Sequence, residues 1–319
     1  MSSFCFISIN GPLIVLTLVA NVFFVFCLMT HKMQRVKEPL KTLLGSVVSS
    51  TIFYLFCVTS MYCVTIWVKS LVVLWTFDYV VLFGVLVNMT SYVWLMFYYY
   101  IMIVPSQRAL IRWVKKNIKS VIYVMLFGDR LLFLGNAAYE ITNILDTPYS
   151  NGTGLALQAI QIVELSILNG YILLCLCVMM FSSFATAHYL SKHMKSLAAS
   201  DGSLFNPRLR SQIRVTITGI LQGVLYLLFG LWYTANVLCM YLPPCVTLGF
   251  YIRYTATTLY ISITTLNLWV GQTLFRERAV HVWKAVKKHV CTGKEDLRPA
   301  EDTLTTAATI QSTGVDTDG

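Results

Sequence analysis

The residues from Ala187 to Arg214 read AHYLSKHMKSLAASDGSLFNPRLRSQIR. This stretch carries five Lys and Arg residues against one acid, Asp201, and it separates two long apolar segments. Short basic stretches between apolar segments are typical of the cytoplasmic side of membrane proteins. We therefore predict that this stretch is a cytoplasmic loop, and the other segments can be placed relative to it.

The composition of the whole chain agrees with a membrane protein. With 57% hydrophobic and 12% charged residues, 319 residues cannot form a water-facing surface. The net charge of +10 does not indicate a nucleic-acid partner, because the basic residues lie in short runs between apolar segments. The nine cysteines lie mostly inside those segments without paired metal-ligand spacing. We expect no metal and no cofactor.

Seven apolar segments reach the length of about 20 residues that a helix needs to cross a bilayer. They lie near residues 9–30, 42–67, 74–104, 119–140, 156–188, 213–240 and 247–274. All of the 24 Lys and Arg residues except Lys69, Arg130 and Arg253 fall on one side of this arrangement. The cation-rich side is cytoplasmic. The sequence thus predicts an all-α, multi-pass plasma-membrane protein, a seven-transmembrane helix bundle with its N-terminus outside and its C-terminus inside.

The segments outside the spans fit this orientation. Asn151 begins an N-glycosylation sequon in the second outer loop, so we expect a glycan there. After the last span, Phe275, Ala279, Val282 and Val286 share one helical stripe, which predicts a short amphipathic helix on the inner leaflet. Residues 1–290 would form the membrane domain. Residues 291–319, which are polar, acidic and Thr-rich, would form a disordered cytoplasmic tail.

Polar residues inside the spans are the candidates for helix contacts and for a site. Asp129 and Arg130 are adjacent in the fourth span, so they cannot face each other and should find separate partners on neighbouring helices. A second group occupies the outer halves of several spans and would line a small-molecule cavity. Unconnected contacts between helices are the alternative for this group. Its members are Asn88, Gln161, Glu164, Trp232, Tyr233, Asn236, Arg253 and Tyr254.

Acidic residues outnumber basic residues near this outer region. Asp78, Glu140, Asp146 and Glu164 outnumber Lys69 and Arg253, which favours cationic or amine-bearing ligands. No catalytic arrangement is present in the sequence. The five histidines all fall in predicted cytoplasmic segments, and none has a spaced acid and nucleophile. We therefore do not expect an enzyme.

Seven spans, an outer cavity and a basic inner face are features of G-protein-coupled receptors, but the rhodopsin-like motifs are missing. The third span ends in Tyr-Tyr-Ile-Met-Ile-Val-Pro (99–105) instead of Asp-Arg-Tyr. The inner segments are similar to those of the type 2 (bitter) taste receptors. The matching residues are Leu190, His193, Met194, Asn206 and Pro207, then Phe97 and Tyr98, then Leu110, Trp113 and Lys115, and in the first span Gly11, Asn21 and Phe23. Asn206 replaces the family's Asp, and Ser49-Ser50-Thr51 replaces its Ser-Arg.

This resemblance implies a divergent receptor for small, bitter-type molecules that activates a gustducin-like heterotrimeric G protein. The family's third-span pocket Asn corresponds to Asn88 by residue type, but to a position near Val85 by its spacing from Trp113. The expected G-protein contacts are Lys115, Lys116, His193, Met194, Lys195, Arg208 and Arg210. The expected partners are the agonist, the G protein and the lipid bilayer. The sequence also leaves open a homo- or hetero-oligomer. The alternative functions are a vomeronasal type 1-like pheromone receptor and a small-solute membrane transporter.

Overall fold

A computed structural model of the chain describes residues 3–29, 37–67, 70–105, 108–146, 154–201, 207–241, 250–272, 275–280 and 282–284. All regular structure in these residues is α-helical. The helices are α1 (Ser3–Met29), α2 (Glu38–Trp67), α3 (Leu71–Ile103), α4 (Ala109–Lys116), α5 (Ile118–Asp146), α6 (Gly154–Asp201), α7 (Pro207–Tyr241) and α8 (Phe250–Gly271). They belong to one compact unit, residues 1–272. In the second unit, residues 273–319, the described stretches 275–280 and 282–284 are helical, as predicted after the last span.

Six of these helices are long and apolar enough to cross a membrane. The spanning stretches are Cys5–Met29, Glu38–Trp67, Val72–Ile103, Ile118–Ile144, Ser166–His193 and Ile213–Asn236. Hydrocarbon offers no hydrogen bonds, so an apolar chain that crosses it must pair its backbone groups internally, and a helix does so within one segment. The protein is thus an all-α, multi-pass membrane protein, and the six stretches coincide with the first six predicted spans.

The seventh predicted span corresponds to α8, which is not among the six. α8 has 22 residues, enough to cross a bilayer, but its Thr, Ser and Asn residues lower its hydropathy. These polar side chains are buried within the bundle. They are Thr257, Thr258, Ser262, Thr264, Thr265 and Asn267. α8 therefore turns its polar face towards other helices.

The predicted cytoplasmic loop at residues 187–214 is mostly helical, so the prediction of a loop was wrong for most of this stretch. α6 continues to Asp201 and α7 begins at Pro207. Leu, Ala and Lys in this stretch favour a helix, although the stretch as a whole is too polar to span a membrane. A proline is well tolerated in the first turn of a helix, where its missing N–H is not needed. Both helices are thus longer than their apolar parts.

α3 is the central helix of the bundle. Buried residues make up 78% of its most apolar stretch, compared with 28% for α1 and for α5. It packs against α2, α5, α6 and α7. Of the other helices, α1 packs against both α2 and α8, and α7 packs against both α8 and α6. The Tyr92 hydroxyl on α3 donates to the Thr264 carbonyl on α8 at 3.0 Å. Four of the six other long helices therefore pack directly on α3.

The adjacent charges in α5 bind different helices, which confirms the prediction made for them. The buried carboxylate of Asp129 accepts a hydrogen bond from Trp94 Nε1 on α3 at 2.6 Å and another from the Tyr171 hydroxyl on α6. Arg130 Nη2 donates instead to Ser46 Oγ on α2 at 2.7 Å. α5 is thereby fixed to three neighbours by two consecutive residues.

Candidate functional site

A charged cluster joins α3 to α8 near the first turns of both helices. Arg253 Nη2 lies 2.9 Å from Asp78 Oδ2, and the Tyr254 hydroxyl donates to the other carboxylate oxygen, Asp78 Oδ1. The side chains of Asp78 and Arg253 are each 21% exposed. We call Asp78, Arg253 and Tyr254 the α3–α8 cluster. It is shielded enough for its charges to interact strongly, and neither side chain is fully buried.

The neighbouring turns of α8 are held by hydrogen bonds to two further helices. The hydroxyls of Tyr54 on α2 and Thr258 on α8 lie 3.0 Å apart. Asn10 Nδ2 on α1 donates to Thr255 Oγ1 at 2.9 Å. These contacts fix the start of α8, and with it the position from which Arg253 reaches α3.

The electrostatics of the cluster are balanced. Both oxygens of Asp78 are occupied by donors, and Arg253 neutralises its charge. The Arg253 guanidinium carbon also lies 5.7 Å from the centre of the Tyr254 ring, within cation–π range. Arg253 Nε is buried without a hydrogen-bond partner among the described residues. The remaining hydrogen-bonding capacity of the ion pair therefore lies in the donors of Arg253.

Asn88 lies elsewhere on α3, ten residues beyond Asp78 and about 15 Å further along the helix axis. It is fully buried and turned towards α2, where its Nδ2 donates to Ser50 Oγ at 3.1 Å and Thr51 Oγ1 at 2.9 Å. Val85, the other candidate for the third-span position, is also buried. Asn88 thus holds α2 against α3, and its contacts are not shared with the α3–α8 cluster.

The α7 candidates belong to a separate aromatic region. Trp232 packs on Phe229 with ring centres 5.6 Å apart, and Phe229 stacks on Tyr260 of α8 at 4.3 Å. Asn236 donates to the Trp232 carbonyl within its own helix at 2.7 Å. Trp232, Tyr233 and Asn236 are all half-buried. Gln161 and Glu164 lie on α6, but their side chains are outside the described residues.

The predicted inner-face residues are spread over three helices. Lys115 and Lys116 are exposed on α4, and His193 is exposed on α6, with its ring 6.0 Å from that of Tyr189. Met194 and Lys195 continue α6, and Arg208 and Arg210 lie in the first turn of α7, with side chains outside the described residues. Asn151 and the tail from residue 291 onward also fall outside the described residues.

Sequence reasoning missed how the charges are paired. Asp78 and Arg253 carry opposite charges and both belong to the predicted outer region. This was the signal in the sequence that they could form an ion pair. Their pairing depends on how α3 and α8 are rotated, since 175 positions separate them in the chain. The short helix α4 was also not predicted, because eight residues are too few for a clear period.

The fold and these contacts define a multi-pass helical membrane protein with one partly exposed ion-pair cluster between its central helix and α8. No protein-family model matches the chain, and no curated protein matches it in sequence.

Proposed function

We propose that this protein is a chemosensory G-protein-coupled receptor of the plasma membrane, with α8 as its seventh span, an outer N-terminus and a cytoplasmic C-terminus. The observation that carries the proposal is the α3–α8 cluster, because it places a polar group with spare donors next to the most buried helix of the bundle. Its contacts resemble those of a small-molecule site between helices, where a few directional groups lie among apolar walls.

The mechanism needs two states that differ in helix packing. In the resting state, the Asp78–Arg253 pair holds α3 to α8. A ligand that binds Arg253 or Asp78 competes with this pair and favours the state in which the pair is open. A ligand shifts such an equilibrium only by its differential affinity for the two states, typically a factor of about 5 to 150.

The opposite end of the bundle would contact the G protein. Lys115, Lys116 and His193 are exposed there on two different helices. Cations steer an acidic partner towards the receptor, and a change in helix packing alters their spacing. The similarity of the inner segments to type 2 taste receptors supports bitter-type agonists and a gustducin-like G protein.

The ligand class follows from the pairing of Asp78. Its carboxylate is already neutralised by Arg253, so it attracts amines less than an isolated carboxylate does. When the pair opens, the donors of Arg253 become available, and they favour ligands rich in acceptors, including carboxylates. We therefore expect acceptor-rich agonists to be at least as effective as the cationic ligands that the charge count favours.

The test is a calcium-release screen in cells that express the chain with a gustducin-like G-protein α subunit. The panel contains bitter alkaloids, bile acids and steroids, and surface expression is measured on the same cells. We expect Asp78→Asn to raise basal signalling or to change an agonist's potency about tenfold. Glu38→Gln is the matched control, because it makes the same change in an exposed ion pair with Lys119.

Two results would contradict the proposal. One is a flux of solute into vesicles that contain only this protein, which would favour the transporter. The other is that Asp78→Asn and Arg253→Gln both equal the wild type in basal and evoked signalling at equal surface expression. A response confined to steroids that lack a carboxylate, with none to alkaloids or to carboxylate-bearing compounds, would favour the vomeronasal type 1-like receptor.

A further inference from the structure

The short helix α4 combines two kinds of exposed side chain. Leu110 and Trp113 are 72% and 60% exposed, and their spacing of three residues places them on one face. Arg112, Lys115 and Lys116 are also exposed, on the rest of the helix circumference. α4 is thus an amphipathic helix whose apolar residues are only partly covered by the protein.

α4 is held in place by the bundle. It packs against α3 and α5, and Val114 is buried. At its end, the backbone N–H of Asn117 donates to the Trp113 carbonyl at 3.0 Å, and Asn117 Nδ2 donates to the same carbonyl at 3.2 Å. These bonds satisfy a carbonyl that the helix end leaves open. The exposure of Leu110 and Trp113 is therefore fixed by the packing of the helix.

The position of α4 in the chain places it at a membrane boundary. The spanning stretch of α3 ends at Ile103 and that of α5 begins at Ile118, so α4 connects two spans at the same side of the bilayer. Trp is enriched at the level of the lipid headgroups, because its apolar ring can contact the acyl chains while its N–H stays hydrated. Basic residues beside such a helix attract anionic headgroups.

We propose that α4 binds the surface of an anionic phospholipid leaflet. Leu110 and Trp113 insert between the acyl chains, and Arg112, Lys115 and Lys116 contact the headgroup phosphates. The charge of the helix selects this occupant, because α4 (Ala109–Lys116) contains three Lys and Arg residues and no acid. The proposal does not depend on the receptor function, and it assigns Lys115 and Lys116 to the lipid surface when no G protein is bound.

The experiment uses the full-length protein in bilayer nanodiscs without a G protein. Phosphatidylcholine nanodiscs receive equal mole fractions of either brominated phosphatidylglycerol or brominated phosphatidylcholine, and bromine quenches nearby tryptophan fluorescence. The signal of Trp113 is the difference between the wild type and Trp113→Phe. We expect brominated phosphatidylglycerol to quench this signal roughly twofold more than brominated phosphatidylcholine, because the cations enrich the anionic lipid around α4.

Charge variants separate this site from the general charge of the protein. In the double variant Lys115→Gln, Lys116→Gln, brominated phosphatidylglycerol and brominated phosphatidylcholine should quench Trp113 equally. The double variant Lys41→Gln, Lys192→Gln removes the same charge from exposed positions on α2 and α6. It should keep the stronger quenching by brominated phosphatidylglycerol. Equal quenching by both lipids in the wild type, or no quenching of Trp113 by either, would overturn the proposal.

A second measurement needs no variant. Hydrogen exchange of the peptide that covers residues 109–116 should be slower in bilayers that contain phosphatidylglycerol than in pure phosphatidylcholine, because lipid contact excludes water from the helix. Equal exchange rates in the two bilayers would contradict the proposal even if Trp113→Phe did not fold. Since the assay has no G protein, a failure here leaves the receptor proposal intact.

Discussion

Removing the Tyr171 hydroxyl tests how strongly the buried carboxylate of Asp129 holds the bundle together. In the wild type this hydroxyl donates to Asp129 Oδ1, and Trp94 Nε1 donates to Oδ2 at 2.6 Å. Tyr171→Phe keeps the ring, which packs 5.8 Å from that of Phe133, and removes only the donor. One carboxylate oxygen then loses its partner on α6.

The size of the effect follows from burial and charge. Hydrogen bonds to charged groups contribute about 1.5–3 kcal/mol in water-soluble proteins. Those between membrane helices average about 0.6 kcal/mol and reach about 1.7 kcal/mol. Asp129 is 5% exposed and has two donors from different helices, so we place Tyr171→Phe near the upper membrane value, at about 1.5 kcal/mol. The free energy of unfolding should fall by that amount.

Unfolding in mixed micelles with increasing dodecyl sulfate, followed by tryptophan fluorescence, measures the change. Tyr123→Phe is the control, because it removes a hydroxyl that lies 3.2 Å from Thr42 Oγ1 at an exposed site. The control should change the stability by less than about 0.5 kcal/mol. In an Asp129→Ala background, Tyr171→Phe should cost little, because its acceptor is gone. The hydrogen bond to Asp129 does not stabilise the bundle if Tyr171→Phe changes the stability as little as Tyr123→Phe, or if it lowers the stability equally in the Asp129→Ala background.

Three further predictions concern packing, helix contacts and orientation. Gly271→Ala should lower the free energy of unfolding by about 1–3 kcal/mol, because its Cβ would meet Thr218 Oγ1 at 2.7 Å. Gly45→Ala, whose Cβ meets nothing within 4 Å, should raise it by up to about 1 kcal/mol in the same assay. Asn88→Ala should lower it by about 0.6–1.7 kcal/mol, because its donors to α2 are lost, and an unchanged unfolding midpoint would show that they contribute nothing. Asn151→Gln should abolish the glycosidase-sensitive shift in gel mobility, and a persistent shift would place the glycan elsewhere.

The helices could be predicted from the sequence because each one satisfies its own backbone. Apolar length and flanking cations are local properties, and they located six spanning helices, five of them to within four residues at each end. The separate partners of Asp129 and Arg130 also followed from local geometry, since consecutive residues point away from each other on a helix. α6 extends to Asp201 because helix propensity continues where hydropathy stops.

The arrangement of the candidate site could not be predicted in the same way. Which side chains meet depends on the rotation of each helix about its axis, and this is set by packing against several neighbours. Asn88, Trp232 and Arg253 share a depth in the sequence pattern, yet they face α2, the α7–α8 aromatic stack and Asp78, respectively. Polarity inside a span identified residues with partners, but the identity of each partner required the structure.

The bonds between α3 and α8 have a mechanical consequence. The two helices are joined at Asp78 with Arg253, at Tyr92 with Thr264, and at Tyr99, whose hydroxyl donates to Gln272 Oε1 at 2.8 Å. Asp78 and Tyr99 are about 32 Å apart along α3, close to the thickness of a bilayer core of about 30 Å. With attachments at both ends and near the middle, these bonds oppose sliding of α3 along α8. A shift of either helix along its axis would have to break polar contacts at three levels at once.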